Sequence, residues 1–141
     1  MNMQNISKTI EALDSDARIS ALFLFGSTPR GEAGPLSDID LAAFLSETVN
    51  PADYLAVRLE LMSTISSLLA SESFDLVIMN EAAPGLVRQI DRYGTRLSVA
   101  DPERLAAFLE RSLDLYLDFE PYARTYNREL RERIRNGGFG A

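Results

Sequence analysis

Cysteine and histidine are both absent from this chain of 141 residues. Their absence excludes disulfides, zinc-finger spacings, Cys/His nucleophilic catalysis and imidazole acid–base chemistry. Any catalysis must therefore use carboxylates, hydroxyls, lysine or arginine. No apolar run approaches the roughly 20 residues that a membrane span needs, and residues 1–10 lack the apolar stretch of a signal peptide. We therefore expect a cytoplasmic protein that does not associate with a membrane.

The length and composition of the chain set the scale of the fold. At 141 residues and 46% hydrophobic composition, it has the usual size of one domain and can bury one sizeable core. We predict a single domain over residues 1–136, with a helical C-terminal part from about residue 102 to 136. Residues 137–141 are rich in glycine and predict a flexible tail.

The chain is acidic, with a formal net charge of −7 at pH 7. Nonspecific binding of nucleic acid depends mainly on cations that neutralise phosphates, so this balance disfavours direct binding of nucleic acid. An acidic surface would suit a basic protein partner. A net charge of this size also simply keeps a small protein in solution.

Short apolar runs alternate with segments of helical periodicity along the chain. Turn residues bound each run, as expected of buried strands between helices. Strands are predicted at residues 19–25, 41–45, 74–79 and 96–99, and helices over about the first 13 residues and after Pro51, Pro84 and Pro102. This alternation predicts an α/β domain whose sheet is largely covered by helices.

Three features predict details of the helices. Gly94 follows a helical segment and predicts a left-handed helix stop, and Pro121 predicts a kink or a fresh start in the last helix. Apolar residues at spacings of three and four predict the buried face of the helix after Pro51. These residues are Leu55, Leu59, Met62, Ile65 and Leu69.

The most informative segment lies between the first two predicted strands. Gly26-Ser27 ends one strand, ten residues follow, and Asp38-Ile39-Asp40 leads into the next. In an extended segment the side-chain period of two puts Asp38 and Asp40 on one face, roughly 7 Å apart at Cα. Two carboxylates held this close repel each other unless a cation neutralises them. The spacing therefore favours a shared metal ion.

The ligand chemistry selects the metal. Oxygen-only ligation without histidine or cysteine favours a hard ion, and Mg²⁺ bound by carboxylates and substrate phosphates is the usual arrangement in phosphoryl transfer. We expect that Mn²⁺ can substitute. Holding two ions requires a third acid, and Asp75, inside the third apolar run, is the candidate for a metal ligand and general base.

A phosphate site is predicted beside the acids. Gly26 allows a close backbone approach to a phosphate, and Ser27 offers an N–H group and a hydroxyl at a helix N-terminus. Arg30 can add a charge-assisted hydrogen bond to a triphosphate. Equally, Arg30 can be a solvated loop residue, and Asp38 and Asp40 can be turn and cap residues.

Three tyrosines lie on the apolar stripe of the last helix: Tyr116, Tyr122 and Tyr126. Their position favours a role in the core or in partner contacts over a role in chemistry.

The string from Leu24-Phe25-Gly26-Ser27 to Ser37-Asp38-Ile39-Asp40-Leu41 closely resembles the signature of the polymerase-β-like nucleotidyltransferases. Phe74-Asp75-Leu76-Val77, the helix after Ala83-Pro84, the Tyr93-Gly94 stop and the helix around Tyr116 and Asp118 resemble the prokaryotic minimal nucleotidyltransferases. The resemblance covers nearly the whole chain. It implies an α/β (α+β) fold in which helices flank a small mixed sheet of about four strands.

Members of that group are commonly antitoxins of HEPN-domain toxin ribonucleases, which they neutralise by attaching AMP to a toxin tyrosine. The resemblance therefore implies a Mg²⁺-dependent protein adenylyltransferase (EC 2.7.7 type) that uses ATP and forms a hetero-oligomer with the toxin. It also implies that Gly26 and Ser27 hold the triphosphate, that Asp38 and Asp40 bind two metal ions, and that Asp75 completes the catalytic metal site.

Two alternatives remain open at this stage. One keeps the chemistry and changes the acceptor to a small-molecule hydroxyl, as in the related aminoglycoside nucleotidyltransferases. The chain argues weakly against it, because no extra domain is evident to enclose a small substrate. The other is a non-catalytic module that neutralises a toxin by contact alone.

Overall fold

A computed structural model describes residues 3–26 and 39–135 of the chain. In this part, α1, β1 and β2 are followed by α2, β3, α3, β4 and α4. The bounds are α1 Met3–Asp14, β1 Ile19–Phe25, β2 Ile39–Leu45, α2 Tyr54–Leu69, β3 Phe74–Ile78, α3 Pro84–Tyr93, β4 Thr95–Val99 and α4 Pro102–Arg135. Short 3₁₀ turns precede α2 and α3. None of the described helices is both long and apolar enough to cross a membrane.

The described strands form one mixed sheet in the order β3-β2-β1-β4. β1 pairs antiparallel with β2 and with β4, whereas β2 and β3 are parallel. The parallel pair requires a crossover connection, and α2 supplies it. The predicted α/β domain with a mixed sheet of four strands and flanking helices is therefore confirmed.

A hydrophobic cluster covers each face of the sheet. On one face, α1 and α2 pack through Leu13, Leu61 and Ile65. On the other face, α3 and α4 pack through Ile90 and Leu105. Because side chains alternate along a strand, the residues of β2 divide between the two clusters. Ile39, Leu41, Ala43 and Leu45 face α1 and α2, whereas Ala42 and Phe44 face α3 and α4.

The predicted buried face of α2 is partly wrong. Leu55 and Leu59 are exposed, and the buried residues of this helix are Val57, Leu61, Ile65 and Leu69. The first half of α2 is apolar on several sides, so more than one stripe fits the spacing. The buried residues lie four apart throughout, and the sheet selects that stripe.

Gly94 ends α3 as predicted, but not through a left-handed conformation. Its φ of −79° and ψ of 166° are extended. A Cβ at this position would lie 2.5 Å from the carbonyl oxygen of Ile90 and 3.2 Å from that of Leu24. Glycine is therefore required at residue 94 because the backbone of β1 and the last turn of α3 approach it closely.

The last helix, α4, continues without a break from Pro102 to Arg135 and contains Pro121. The predicted fresh start at that proline is therefore wrong. Beyond Ser112, α4 carries exposed apolar side chains on more than one side, among them Leu117, Phe119 and Tyr122. Tyr122 thus does not belong to the core of this chain. Tyr116 packs against Gly85 and lies under the guanidinium of Arg88.

A charge cluster joins the turn before β1 to α2. Arg18 pairs with Asp16 and with Glu60. The side-chain hydrogen bond from Arg18 holds the pKa of Asp16 below its usual value of 3.8. A carboxylate with a lowered pKa stabilises the fold above its unfolded-state pKa, and this contribution is lost as the pH falls through the folded-state pKa.

We therefore expect Asp16→Asn to lower the free energy of unfolding at pH 7 by roughly 0.5 kcal/mol, the scale of a partly exposed ion pair. The asparagine oxygen can still accept the backbone N–H of Arg18, which donates to Asp16 Oδ1 at 2.9 Å. The variant therefore removes mainly the charge. Urea denaturation at pH 7 and at pH 2.5 measures the effect. The difference from wild type should shrink at the lower pH, and an equal difference at both pH values would refute the assignment.

Candidate active site

The backbone turn at the end of β1 leaves room for an acidic side chain. Gly26 follows Phe25 with a φ of +86°, a conformation that residues with a side chain rarely adopt. A Cβ on Gly26 would lie 2.1 Å from Oδ2 of Asp40. Residue 26 must therefore be glycine both for its conformation and for the space that the carboxylate of Asp40 occupies.

Asp40 and Asp75 are direct neighbours on the parallel strands β2 and β3. Paired residues on adjacent strands lie about 4.8 Å apart, and their side chains point to the same face of the sheet. That face is the one covered by α3 and α4, because Ala42 and Val77, two positions further along the same strands, pack into that cluster. The sheet register thus brings two carboxylates together beside Gly26.

The two acids differ in their surroundings. The side chain of Asp40 is partly buried, whereas 56% of the side chain of Asp75 is exposed. Asp75 lies on an edge strand of the described sheet, and Arg58 of α2 reaches over that edge. Arg58 Nε donates to the carbonyl oxygen of Leu76 at 2.8 Å, and Nη2 lies 3.5 Å from Oδ1 of Asp75.

The structure describes three of the predicted site residues. Gly26, Asp40 and Asp75 lie together at one end of the sheet. Ser27, Arg30 and Asp38 lie outside the described residues. Within residues 3–26 and 39–135, no group of three acidic side chains is close enough to hold a metal ion.

Arg58 is the residue of this region that the sequence did not predict. Its only signal is a cation within the apolar segment Tyr54–Met62. Such a residue is usually a solvated position on the outer face of a helix. Its role depends on the packing of α2 beside β3, which periodicity does not reveal.

The donor set fits a hard divalent cation. Asp40 and Asp75 offer carboxylate oxygens on one face, and the chain contains no histidine or cysteine that would favour a softer ion. The space that a Cβ on Gly26 would take is filled by the carboxylate of Asp40, so this acid lies directly against the backbone at the end of β1.

A separate cleft of about 460 Å³ lies at the opposite end of β2 and β3. Its walls include Arg104 and Arg111. Arg104 is held in place by structural contacts, because Nη1 donates to the Leu45 carbonyl at 3.0 Å and the guanidinium lies 4.4 Å from the Phe44 ring centroid. None of Gly26, Asp40 and Asp75 lines this cleft, so the paired acids remain the candidate catalytic centre.

Comparisons with known proteins concern the family and the fold of the chain. The model of the family "Polymerase beta, Nucleotidyltransferase" matches residues 7–103. A protein described as a minimal nucleotidyltransferase is 32% identical, with a TM-score of 0.50, and the match covers 67% of this chain and 95% of that chain. None of the curated protein sequences matches the chain significantly.

Solved toxin–antitoxin complexes contain chains with the same fold. In a complex with AMP-PNP, the matching chain is 24% identical with a TM-score of 0.70, and the match covers 92% of this chain and 98% of that one. In a complex of tri-AMPylated Shewanella oneidensis HEPN toxin with MNT antitoxin, the matching chain is 23% identical with a TM-score of 0.66, and the match covers 92% of this chain and 98% of that one.

Proposed function

The chain belongs to the polymerase beta nucleotidyltransferase family, and from this premise we propose that it is a protein adenylyltransferase that acts as an antitoxin. It transfers AMP from ATP to a tyrosine hydroxyl of a HEPN-type toxin ribonuclease and so neutralises the toxin. The observation that carries the proposal is the pair of carboxylates, Asp40 and Asp75, held beside Gly26.

In this proposal, Asp38, Asp40 and Asp75 hold two Mg²⁺ ions, for which Mn²⁺ can substitute. When bound, the ions polarise the phosphate oxygens and neutralise the charge that develops on them. Gly26 and Ser27 receive the triphosphate, and Arg30 donates to it. The chemistry of the described donors supports this assignment, because both acids are oxygen ligands on neighbouring strands and Asp40 lies beside Gly26.

The reaction forms one bond and breaks one. The tyrosine oxygen of the acceptor attacks the α-phosphorus of ATP, and the bond from that phosphorus to the bridging oxygen of pyrophosphate breaks. Asp75 takes the proton of the hydroxyl. Its exposed side chain at the sheet edge supports this role, since a macromolecular acceptor must reach the group that receives its proton.

The partner class comes from the relatives. A matching structure pairs an MNT antitoxin with an AMPylated HEPN toxin, and another toxin–antitoxin complex contains an ATP analogue. These complexes support a hetero-oligomer of this chain with a HEPN-type toxin and the use of ATP.

Mass spectrometry of a HEPN partner, after incubation with this protein, ATP and Mg²⁺, tests the function. We expect a gain of about 329 Da per AMP on a partner tyrosine, since adenylylation is a covalent modification that adds a phosphate-bearing group. Asp40→Asn should abolish it. A stable complex without a mass gain would instead indicate neutralisation by contact alone. Transfer of AMP to an aminoglycoside, with no gain on the protein, would indicate a small-molecule acceptor.

A further inference from the structure

Arg58 lies outside the signature of the catalytic acids, yet it contacts one of them. We propose that Arg58 is a positioning residue that holds Asp75 in its catalytic orientation and weakens the affinity of the nucleotide-free site for metal. This inference rests on the proposed function, because it assumes that Asp75 is a metal ligand.

The first argument is geometric. Nε and Nη2 lie on the same side of a guanidinium, so the two donors form a planar fork. In Arg58, Nε donates to the Leu76 carbonyl at 2.8 Å, and Nη2 is directed to Oδ1 of Asp75 at 3.5 Å. The hydrogen bond to the Leu76 carbonyl attaches the guanidinium to β3 itself. The position of the cation relative to Asp75 is therefore set by the strand that carries Asp75.

The burial of the two side chains supports this role. Only 31% of the side chain of Arg58 is exposed, although it ends beside a carboxylate that is 56% exposed. The rest of the arginine is packed, which limits the orientations of its guanidinium. Because the arginine is packed and the acid is exposed, the arginine restricts the orientation of the acid more than the acid restricts the arginine. The contact engages Oδ1 of Asp75.

The second argument is electrostatic. A guanidinium close to Asp75 repels a divalent ion that binds the same carboxylate. In a water-like dielectric, a charge of +1 about 6 Å from a divalent ion repels it enough to lower the metal affinity about tenfold before screening by salt. Salt reduces the effect to roughly threefold. Arg58 thus disfavours metal alone, and the phosphates of a nucleotide supply the additional negative charge that offsets the repulsion.

Two substitutions separate charge from geometry. Arg58→Gln removes the cation, whereas Arg58→Lys keeps the charge but replaces the fork with one nitrogen, which cannot keep both contacts in the same geometry. Arg18→Gln is the matched control. It breaks the ion pairs of Arg18 with Asp16 and Glu60 at the far end of β1 and makes the same change in net charge, and the two arginines are similarly exposed, at 35% and 31%.

Mn²⁺ binding to the nucleotide-free protein, followed by electron paramagnetic resonance, is the first measurement. We expect Arg58→Gln to bind Mn²⁺ about three- to tenfold more tightly than wild type. Arg58→Lys and Arg18→Gln should stay within about twofold of wild type, because the first keeps the charge and the second is remote. A variant that fails to fold would lose Mn²⁺ binding, so tighter binding cannot result from misfolding.

The rate of AMP transfer is the second measurement. Both substitutions at Arg58 should lower kcat by about tenfold or more, with a change in KM for ATP of less than about twofold, since they misplace a group that acts in the chemical step. Arg18→Gln should leave both constants unchanged. If Arg58 served only the fold, its substitutions would lower thermal stability but would not lower kcat while KM stayed nearly constant.

The outcomes distinguish the two proposals. If Asp75→Asn weakens Mn²⁺ binding but Arg58→Gln does not tighten it, the inference about Arg58 is wrong and the proposed metal site stands. If Asp75→Asn leaves Mn²⁺ binding unchanged, Asp75 is not a metal ligand and both assignments fail.

Discussion

Replacing Asp40 by asparagine is expected to lower the rate of AMP transfer about a thousandfold, or roughly 4 kcal/mol in activation free energy. Asparagine is nearly isosteric with aspartate, and its oxygen can occupy the space over Gly26 that Asp40 Oδ2 now fills. The substitution removes a negative charge that, in the proposed function, holds the metal. The chemical step therefore loses most of its stabilisation of phosphate charge while the fold is retained.

The stability of Asp40→Asn should change far less than its activity. Asparagine nearly keeps the shape of the aspartate that packs against Gly26. Thermal unfolding without metal should therefore show a melting temperature within a few degrees of wild type, the shift that corresponds to about 1 kcal/mol or less.

The matched control for this charge change is Asp14→Asn, at the exposed end of α1. It should keep full activity, because it removes the same charge at a distance from the site. A large fall in the melting temperature of Asp40→Asn, with activity lost only in proportion to the unfolded fraction, would show that Asp40 serves the fold and not the chemistry.

Replacing Phe44 by alanine is expected to cost about 3–5 kcal/mol of unfolding free energy, the usual range for a buried phenylalanine. Phe44 is 2% exposed, and its ring centroid lies 4.7 Å from that of Phe108 on α4. It also lies beneath the guanidinium of Arg104. Its loss therefore leaves a cavity and weakens the attachment of α4 to the sheet.

Urea denaturation followed by circular dichroism measures this effect. Since a domain of this size has a total stability of about 5–15 kcal/mol, Phe44→Ala should unfold at a much lower urea concentration than wild type. Phe119→Ala is the control, because the side chain of Phe119 is 64% exposed. That variant should change stability by less than about 0.5 kcal/mol. Equal losses in the two variants would contradict the assignment of Phe44 to the core.

The order of strands and helices could be predicted because each strand is a short apolar run bounded by turn residues. The buried face of α2 could not, because Leu55 and Leu59 fit helical spacing as well as Val57 and Leu61 do. Only the position of the sheet chooses between the two stripes. The role of Gly94 was missed for a similar reason, since the carbonyl of Leu24 approaches it from a strand about 70 residues earlier in the chain.

The candidate site was predictable to a different degree at each residue. Gly26, Asp40 and Asp75 carry a spacing and a resemblance that single them out, and the sheet register brings the three together. That Asp40 and Asp75 are direct neighbours depends on the parallel pairing of β2 and β3, which a linear sequence does not contain. The participation of Arg58 depends on the packing of α2, so it required the structure.

The location of Asp75 on an edge strand also affects how the sheet meets other chains. An edge strand presents backbone groups to which another strand can add, and natural proteins block such edges with charge. Here the arginine that contacts Asp75 also occupies the carbonyl oxygen of Leu76. The side chain that orients the acid thereby hinders the addition of a foreign strand. One arginine thus leaves one backbone acceptor fewer on this edge of the described sheet, while the acid beside it remains exposed.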